Sequence, residues 1–192
     1  MTLSTYEPAT LEIWLTLGLG LTVLSPYYRG FARRLGLRGD EQVLDFGSGS
    51  GVCSRHVAAR LRHGGHLDCV DISDRWMHVI RRTLSRFDNV GYHRGRITTL
   101  ALPEAAYDMV VIHFVLHDIP AAERPDVVAA LVRRLKPGGR LVLREPQDHG
   151  LTLDELDHLM TVAGLRPTST VAHRVATMSV YNAIYSHRKE LQ

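Results

Sequence analysis

Three glycines spaced two apart follow a short apolar run early in the chain. The stretch from Asp45 to Ser54 reads DFGSGSGVCS, and Val43 and Leu44 precede it. Glycine lets the backbone turn sharply and lets a ligand come close to it, so three glycines at this spacing predict a loop shaped around a ligand. The loop separates an apolar run typical of a strand from a segment with helical periodicity, as the strand-to-helix turns of α/β folds do.

Strand and helix patterns alternate along the rest of the chain. Apolar runs predict strands at 42–46, 66–72, 90–93, 107–114 and 140–144, and helical periodicity predicts helices at 51–61, 74–87, 120–135 and 153–163. Asp74 and Thr152 are the predicted N-caps of two helices, and Pro120 opens a third.

The C-terminal part carries two more predicted strands within 166–185, with a turn around Ala172 and His173. Because no helix separates them, one of the two should run antiparallel. The sequence therefore predicts an α/β fold: a Rossmann-like doubly wound sheet, mostly parallel with one antiparallel strand near the C-terminus, and with helices on both faces.

The length of 192 residues is typical of one domain. We expect a single domain over 1–192, with an N-terminal helical cap at 1–38, a cofactor-binding core at 39–150, and a helix and strand pair at 151–192. The net charge is +3, and most of the basic residues are arginines that occur as scattered pairs. Because they do not form one basic patch, we expect them to lie on solvated helix faces and not on a nucleic-acid-binding surface. Cys53 and Cys69 form no disulfide framework and no secretory signal is apparent, so free buried thiols and a cytoplasmic location are expected.

The segment from Leu11 to Leu24 is strongly apolar. It has fourteen residues and contains Glu12, whereas a membrane span needs about twenty apolar residues. We expect a buried or lid-forming helix and no transmembrane segment. Two interpretations stay open: a helix that closes part of the core, or an apolar wall for a greasy substrate or for contact with a membrane surface.

An acidic residue follows the second predicted strand. In open α/β sheets, ligands bind outside the carboxyl ends of the strands, where the first strand leads into the glycine loop. Asp71 lies there, twenty residues after Gly51, and its carboxylate can accept hydrogen bonds from both hydroxyls of a ribose. A dinucleotide fingerprint would place its third glycine at Val52, one residue later than Gly51. The loop therefore favours a ribose-containing cofactor other than a dinucleotide.

Four motifs occur in the order found in one enzyme family. They read VLDFGSGSG, VDIS, AYDMVVIHFVLHDI and LKPGGRLVLREP. The sequence resembles the class I S-adenosylmethionine-dependent methyltransferases, in particular the small-molecule "type 11" enzymes related to quinone biosynthesis. The resemblance runs from about 42 to 146, and more loosely to 185.

The resemblance implies S-adenosyl-L-methionine as the cofactor and assigns residues to it. Asp71 would hold the ribose, Ile72 and Ile97 would sandwich the adenine, Trp76 would close that pocket, and His113 and Phe114 would face the sulfonium centre. The loop around the methionine part would consist of Asp45, Gly47, Ser48, Gly49 and Gly51. One position departs from the family pattern. Members of the family usually have an aspartate there that accepts a hydrogen bond from the adenine amino group, whereas this chain has Arg96, whose side chain can only donate hydrogen bonds.

Methyl transfer needs a general base only if the acceptor is protonated. His117 and His113 are the candidates, because histidine titrates near neutral pH; alternatively, His117 hydrogen-bonds backbone and orders its loop. Glu145 is a further polar group that could face the substrate, as are Tyr27, Tyr28 and Arg29. A metal at His113, His117 and Asp118 would need another ligand, so no metal is expected.

The acceptor is expected to be a small apolar or aromatic molecule. The fourth strand ends in IHFV, without the Asn/Asp-Pro-Pro-aromatic motif of amino-nitrogen methyltransferases, and neither cysteine follows a proline. Base methylation is therefore disfavoured. Two other functions stay open: a cyclase or isomerase that binds S-adenosylmethionine without using its methyl group, and a non-catalytic binding module. The sequence leaves the oligomeric state open, a homodimer included.

Overall fold

The computed structural model describes residues 6–147, 149–175 and 178–187. The chain divides into two compact units, Met1–Arg96 and Ile97–Gln192. We call them the N-terminal and the C-terminal unit.

The N-terminal unit begins with two helices and continues with alternating strands and helices. Its elements are α1 (Thr10–Leu21), α2 (Ser25–Arg34), β1 (Gln42–Phe46), α3 (Ser54–Ala58), β2 (His66–Asp71), α4 (Asp74–Thr83) and β3 (Val90–Arg94). The strands pair in parallel in the order β3-β2-β1. Val43, Leu44, Leu67 and Cys69 are inaccessible to solvent, as expected for parallel strands covered on both faces.

Helix ends in this unit differ from the predictions. The N-cap of α4 is Ser73, whose Oγ accepts a hydrogen bond from the Trp76 N–H at 3.0 Å; the prediction of Asp74 is wrong by one residue. Helix α3 is much shorter than the predicted 51–61. It begins later because Gly51 still belongs to the turn, with a φ of 78°, and it ends earlier, at Ala58.

Helix α1 confirms a helix in the apolar N-terminal segment, but its burial differs from one expectation. Only Gly20 of this helix is buried, and Trp14 is 70% exposed. The expectation of a buried helix is therefore wrong, whereas a helix that closes part of the core stays a prediction. Among the residues that the structure describes, no helix is long and apolar enough to cross a membrane. Cys53 and Cys69 are free and buried, as predicted.

The C-terminal unit combines parallel and antiparallel strands. Its elements are β4 (Tyr107–His113), a 3-10 turn (Leu116–Asp118), α5 (Arg124–Arg134), β5 (Leu135–Pro146), α6 (Leu153–Val162), β6 (Leu165–Val175) and β7 (Met178–His187). β4 and β5 are parallel, whereas β7 runs antiparallel to both β5 and β6. The predicted antiparallel strand near the C-terminus is confirmed, and so is the mostly parallel α/β class.

Two boundaries in this unit were predicted wrongly. Ala172 and His173 lie inside β6, opposite Tyr181 and Val180, and do not form a turn; residues 176–177, between the two strands, lie outside the described residues. Helix α5 begins at Arg124 with Pro125 in its first turn, not at Pro120. Thr152 caps α6 as predicted, since its Oγ1 accepts from the Glu155 N–H.

Candidate functional site

The glycine loop needs glycine for two separate reasons. Gly47, Gly49 and Gly51 all have positive φ, at 70°, 51° and 78°, a conformation that residues with a side chain rarely adopt. A Cβ atom on Gly51 would also lie 2.6 Å from Cγ1 of Ile80 on α4. The loop thus brings its backbone close to α4 and leaves no room for a side chain at Gly51.

Asp71 holds this loop against the start of α4. Its Oδ2 accepts from the Gly49 N–H at 2.8 Å, and its Oδ1 accepts from the Ser73 N–H at 2.9 Å. Burial raises the pKa of Asp71, while the hydrogen bonds from the Ser73 and Gly49 N–H groups oppose that rise. Each carboxylate oxygen has a second lone pair, so this acid can still accept hydrogen bonds from a ligand.

Asp45 fastens the other side of the loop. Its Oδ2 accepts from the Ser54 hydroxyl at 2.5 Å, at the first residue of α3. Burial raises the pKa of Asp45 to about 6; the charge of Asp71 adds to this, and the Ser54 hydrogen bond opposes it. The two acids and the three glycines predicted to bind cofactor are therefore brought together.

The other predicted cofactor residues of this unit surround that core. Ser48 donates its hydroxyl to the Val70 carbonyl at 3.3 Å. Trp76 is buried on the first turn of α4, whereas Ile72 and Arg96 are half-buried. Their roles toward a cofactor stay predictions.

Glu7 is part of this site and was missed by sequence reasoning. Its carboxylate accepts from the Asp74 N–H at 2.9 Å, the Arg75 N–H at 3.1 Å and the Ser73 hydroxyl at 2.7 Å. These bonds lower the pKa of Glu7, the Ser73 bond most, with Arg75 also contributing its charge. Glu7 therefore caps α4 from 66 residues away, and no local pattern in the sequence signals such a pairing.

Helix α1 is fixed at both ends. Near its start, Arg75 donates to Thr10 Oγ1 at 2.7 Å and to the Pro8 carbonyl. Near its end, Gly20 packs so closely on Val52 of the glycine loop that a Cβ atom would lie 2.8 Å from Val52 Cγ1. The helix thus runs from the start of α4, next to Asp71, to the glycine loop.

In the C-terminal unit, Glu145 organises the loop that follows β4. Its side chain is inaccessible to solvent, and its Oε1 accepts from the N–H groups of Val115 at 3.0 Å and Leu116 at 2.8 Å. Its Oε2 lies 2.6 Å from Nδ1 of His117. The expectation that Glu145 faces substrate is wrong, because its carboxylate is buried against this loop.

His117 is held in one orientation by that carboxylate. Burial alone lowers the pKa of His117, but the hydrogen bond to Glu145 and the charges of Glu145 and Asp118 outweigh it and raise the pKa above its ordinary value. A carboxylate only accepts, so Nδ1, at the shorter distance to a carboxylate, carries the proton of the neutral ring. Nε2, which lies 3.3 Å from Oδ1 of the exposed Asp118, is then the nitrogen that can take a proton. The side chain bonds carboxylates and not backbone, so the alternative in which His117 itself ties down the loop backbone is wrong.

Arg124 is a second organising residue that the sequence did not reveal. It is buried and donates to the carbonyls of Ile119, Gly150 and His117, at 2.9, 3.0 and 3.3 Å. The His149 ring lies 6.0 Å from the His117 ring, between centroids. Through its three hydrogen bonds, Arg124 fixes the backbone at His117, Ile119 and Gly150.

His113 lies in a different environment from His117. Burial and the charge of Arg144 lower the pKa of His113 to about 3, so its ring is neutral and weakly basic near neutral pH. Phe114 follows with a φ of 59°, a strained value for a residue with a side chain. Among the described residues, no group of three or more His, Cys, Asp or Glu side chains could hold a metal ion.

Residues 43–139 match the family model of a methyltransferase domain. This match covers half of the chain, and the chain belongs to that family. The resemblance to class I S-adenosylmethionine-dependent methyltransferases is therefore confirmed.

One relative by sequence is a demethylmenaquinone methyltransferase from Tropheryma whipplei. It is 34% identical over 119 residues, which are 61% of this chain and 46% of the relative. The chain spans about half the length of the curated relatives it matches.

Two solved structures share the fold. A TehB-like SAM-dependent methyltransferase from Corynebacterium glutamicum has a TM-score of 0.73 at 14% identity, over 91% of this chain and 97% of the other. Magnesium protoporphyrin IX methyltransferase from Synechocystis, solved with bound SAM, has a TM-score of 0.70 at 15% identity, over 95% and 87%. These likenesses confirm the predicted Rossmann-like fold class.

Proposed function

We propose that this protein binds S-adenosylmethionine and transfers its methyl group to a small acceptor. The observation that carries the proposal is the hydrogen bond from the Gly49 N–H to Asp71. It joins the glycine loop directly to the carboxylate that we propose as the ribose-binding group. Membership in the methyltransferase family supports the same reading.

The chemistry of the donors and acceptors fits such a cofactor. The glycine loop offers backbone at close range, since a Cβ on Gly49 would have no atom nearer than 4.0 Å. Asp71 retains lone pairs for the ribose hydroxyls, and the buried Trp76 supplies an aromatic wall nearby. Arg96 leaves the adenine amino group to backbone acceptors, and one such hydrogen bond contributes about 0.5 to 1.5 kcal/mol, so affinity is reduced but not abolished.

When bound, the cofactor supplies a methyl group already activated by its sulfonium charge. The protein then has to align the acceptor in line with the S–CH3 bond and exclude water. For a hydroxyl acceptor, His117 Nε2 would take the proton of the hydroxyl group, while the sulfonium of the cofactor would supply the methyl group to the acceptor oxygen and would keep the electron pair of the broken S–CH3 bond. Glu145 stabilises the imidazolium that forms.

The acceptor in this proposal is apolar or aromatic. The sequence relative from Tropheryma whipplei is a demethylmenaquinone methyltransferase, which supports an acceptor of the quinol kind. The two free, buried cysteines support a reducing compartment, and we propose the cytoplasm.

A transfer assay with methyl-tritiated S-adenosylmethionine tests this proposal. The acceptor panel comprises quinols, catechols, simple phenols and, as controls, a peptide and duplex DNA. We expect label in a quinol or phenol, with S-adenosylhomocysteine formed in equal amount. Turnover of an acceptor without methyl loss would contradict methyl transfer and favour a cyclase or isomerase, and labelled DNA would contradict the acceptor class.

A further inference from the structure

The exposed large apolar side chains of the described residues concentrate on α1 and directly beside it. Among the described residues ten such side chains are exposed, and seven lie between positions 6 and 23: Tyr6, Leu11, Trp14, Leu15, Leu19, Leu21 and Val23. Trp14 and Leu11 are 70% and 69% exposed. Exposed apolar surface gathered in one place marks an interaction site.

The apolar side chains form a face of α1 that points outward. Leu11, Trp14, Leu15 and Leu19 follow the spacing of one helical face. Two residues of the opposite face contact the rest of the unit. Ile13 lines a cleft against α4, and Gly20, seven positions later, packs on Val52. With the Glu7 and Gly20 contacts fixing both ends of α1, the outer face stays turned away from the N-terminal unit.

A cluster of arginines begins where the apolar face ends. Ser25, two residues after Val23, accepts from Arg55 Nη2 at 2.9 Å. Besides burial, the positive charges of Arg55, Arg29, Arg86 and Arg60 lower the pKa of His56 to about 4. Within the described part of the chain, none of these four guanidinium groups forms a salt bridge with a carboxylate. As far as the described residues show, the cluster therefore carries positive charge that no paired carboxylate neutralises.

We propose that α1 and the adjoining arginine cluster dock this protein on an anionic lipid bilayer. The apolar face enters the boundary between headgroups and acyl chains, and the arginines contact lipid phosphates. At about 1.5 Å per residue the 12-residue α1 is about 18 Å long, shorter than the hydrocarbon core of about 30 Å, so it lies in the plane of the interface. This surface is distinct from the proposed methyl-transfer function and does not depend on it.

The charge of the cluster argues against a second copy as the occupant. A symmetric dimer brings the same patch of both subunits together. The uncompensated arginines beside α1 would then approach each other with like charge, which is unfavourable. An anionic surface removes this repulsion and covers the apolar face at the same time.

Vesicle binding of the full chain tests the proposal. Trp14 is exposed while Trp76 is buried, so Trp14 reports its own insertion. We expect sedimentation with vesicles of phosphatidylcholine mixed with phosphatidylglycerol, a blue shift of tryptophan emission, and quenching by brominated acyl chains. Vesicles of phosphatidylcholine alone should bind at least about tenfold more weakly, and the Trp14→Phe variant should sediment but lose the blue shift.

Matched variants separate the two parts of the surface. The double variant Leu15→Glu/Leu19→Glu should lower vesicle binding by about tenfold or more, whereas Val162→Glu, at an exposed valine of α6, should not. Arg29→Gln/Arg86→Gln should abolish the preference for anionic vesicles, whereas Arg166→Gln/Arg174→Gln, with the same change of charge on β6, should keep it.

Two outcomes would overturn the proposal. One is vesicle binding by the Leu15→Glu/Leu19→Glu variant that equals that of Val162→Glu. The other is a lipid-free dimer that fails to bind vesicles and that Leu15→Glu/Leu19→Glu dissociates, because α1 would then be covered by a second copy. Unfolding midpoints of all variants confirm that each is folded, and binding of S-adenosylmethionine is measured separately.

Discussion

The Oε2 atom of Glu145 lies 2.6 Å from Nδ1 of His117, although the two residues are 28 positions apart in the chain. The other oxygen of the same carboxylate holds the N–H groups of Val115 and Leu116. One buried acid therefore sets both the course of the loop and the proton position on the ring. This pairing makes His117 a better candidate base than His113, whose pKa is lowered to about 3.

The Glu145→Gln variant should change the pH dependence of turnover. In the proposed function the neutral form of His117 is the base, so turnover should rise with pH through the His117 pKa, which Glu145 and Asp118 hold above its ordinary value. Removing the charge of Glu145 should shift this rise to lower pH. The glutamine amide would also donate to Nδ1 and leave Nε2 protonated, so kcat should fall by about 100-fold or more.

The control for that experiment is Glu104→Gln, at an exposed glutamate, which should leave the pH profile unchanged. A Glu145→Gln enzyme with normal kcat and an unshifted profile would show that His117 does not act as the base.

The Asp45→Asn variant should be more stable than the wild type above about pH 6. The folded-state pKa of Asp45 is raised to about 6, above its ordinary 3.8, by burial. A raised folded pKa gives stability that is present below the unfolded pKa and is lost as pH rises through the folded pKa. Asparagine keeps an oxygen acceptor for Ser54 and never ionises, so it should add about 1 to 3 kcal/mol above about pH 6.

Urea denaturation across this pH range checks the Asp45 prediction. The difference between Asp45→Asn and wild type should vanish as pH falls below the ordinary aspartate pKa of 3.8, where the carboxyl group is neutral in both the folded and the unfolded state. A variant less stable than the wild type at about pH 8 would mean that the ionised carboxylate is the stabilising form.

Gly51→Ala should destabilise the protein far more than Gly64→Ala. Both glycines have positive φ, 78° and 86°, but only the Gly51 position brings a new Cβ within 2.6 Å of Ile80. Because both positions have a similar positive φ, backbone strain should lower the free energy of unfolding of each alanine variant by about 1 to 2 kcal/mol. The clash with Ile80 should lower that of Gly51→Ala by a further amount of about 1 to 3 kcal/mol. Equal unfolding free energies for the two variants would contradict the tight packing of the loop on α4.

The Glu7→Ala variant should loosen α1. It removes the acceptor for the Asp74 and Arg75 N–H groups and should cost about 0.5 to 2 kcal/mol, as other lost helix caps do. Because the pKa of Glu7 is lowered, its contribution is present above its ordinary pKa near 4.5 and fades as pH falls through the lower folded value. Relative to the wild type, hydrogen exchange of the backbone amides of residues 10–21 should be faster in Glu7→Ala and unchanged in Asp40→Asn. Equal exchange rates in the two variants would refute the role of Glu7.

Local patterns predicted much of this fold. The strands at Gln42–Phe46 and Tyr107–His113 were predictable because continuous apolar runs have one stable place, inside a parallel sheet. The glycine loop and Asp71 were predictable because both stand at strand ends. The error at Ala172 and His173 arose because a small residue followed by a polar one is compatible both with a turn and with a strand such as β6, where Ala172 is exposed and His173 is half-buried.

Contacts between distant segments could not be predicted from those patterns. Nothing near Glu7 indicates that it caps α4, and nothing near Arg124 indicates that it binds the backbone around His117. The apolar segment of α1 was expected to be buried or to form a lid, yet periodicity defines a face without showing what covers it. Pairings of this kind depend on tertiary packing.

Calorimetric titration with S-adenosylmethionine and S-adenosylhomocysteine tests the central claim most directly. We expect the wild type to bind both compounds with one site per chain, and Asp71→Asn to bind each at least about tenfold more weakly, since a hydrogen bond to a charged group contributes about 1.5 to 3 kcal/mol. The Asp40→Asn control, at an exposed acid, should bind as the wild type does. No heat of binding from the folded wild type with either compound, or equal affinities for Asp71→Asn and wild type, would contradict a cofactor site at the glycine loop.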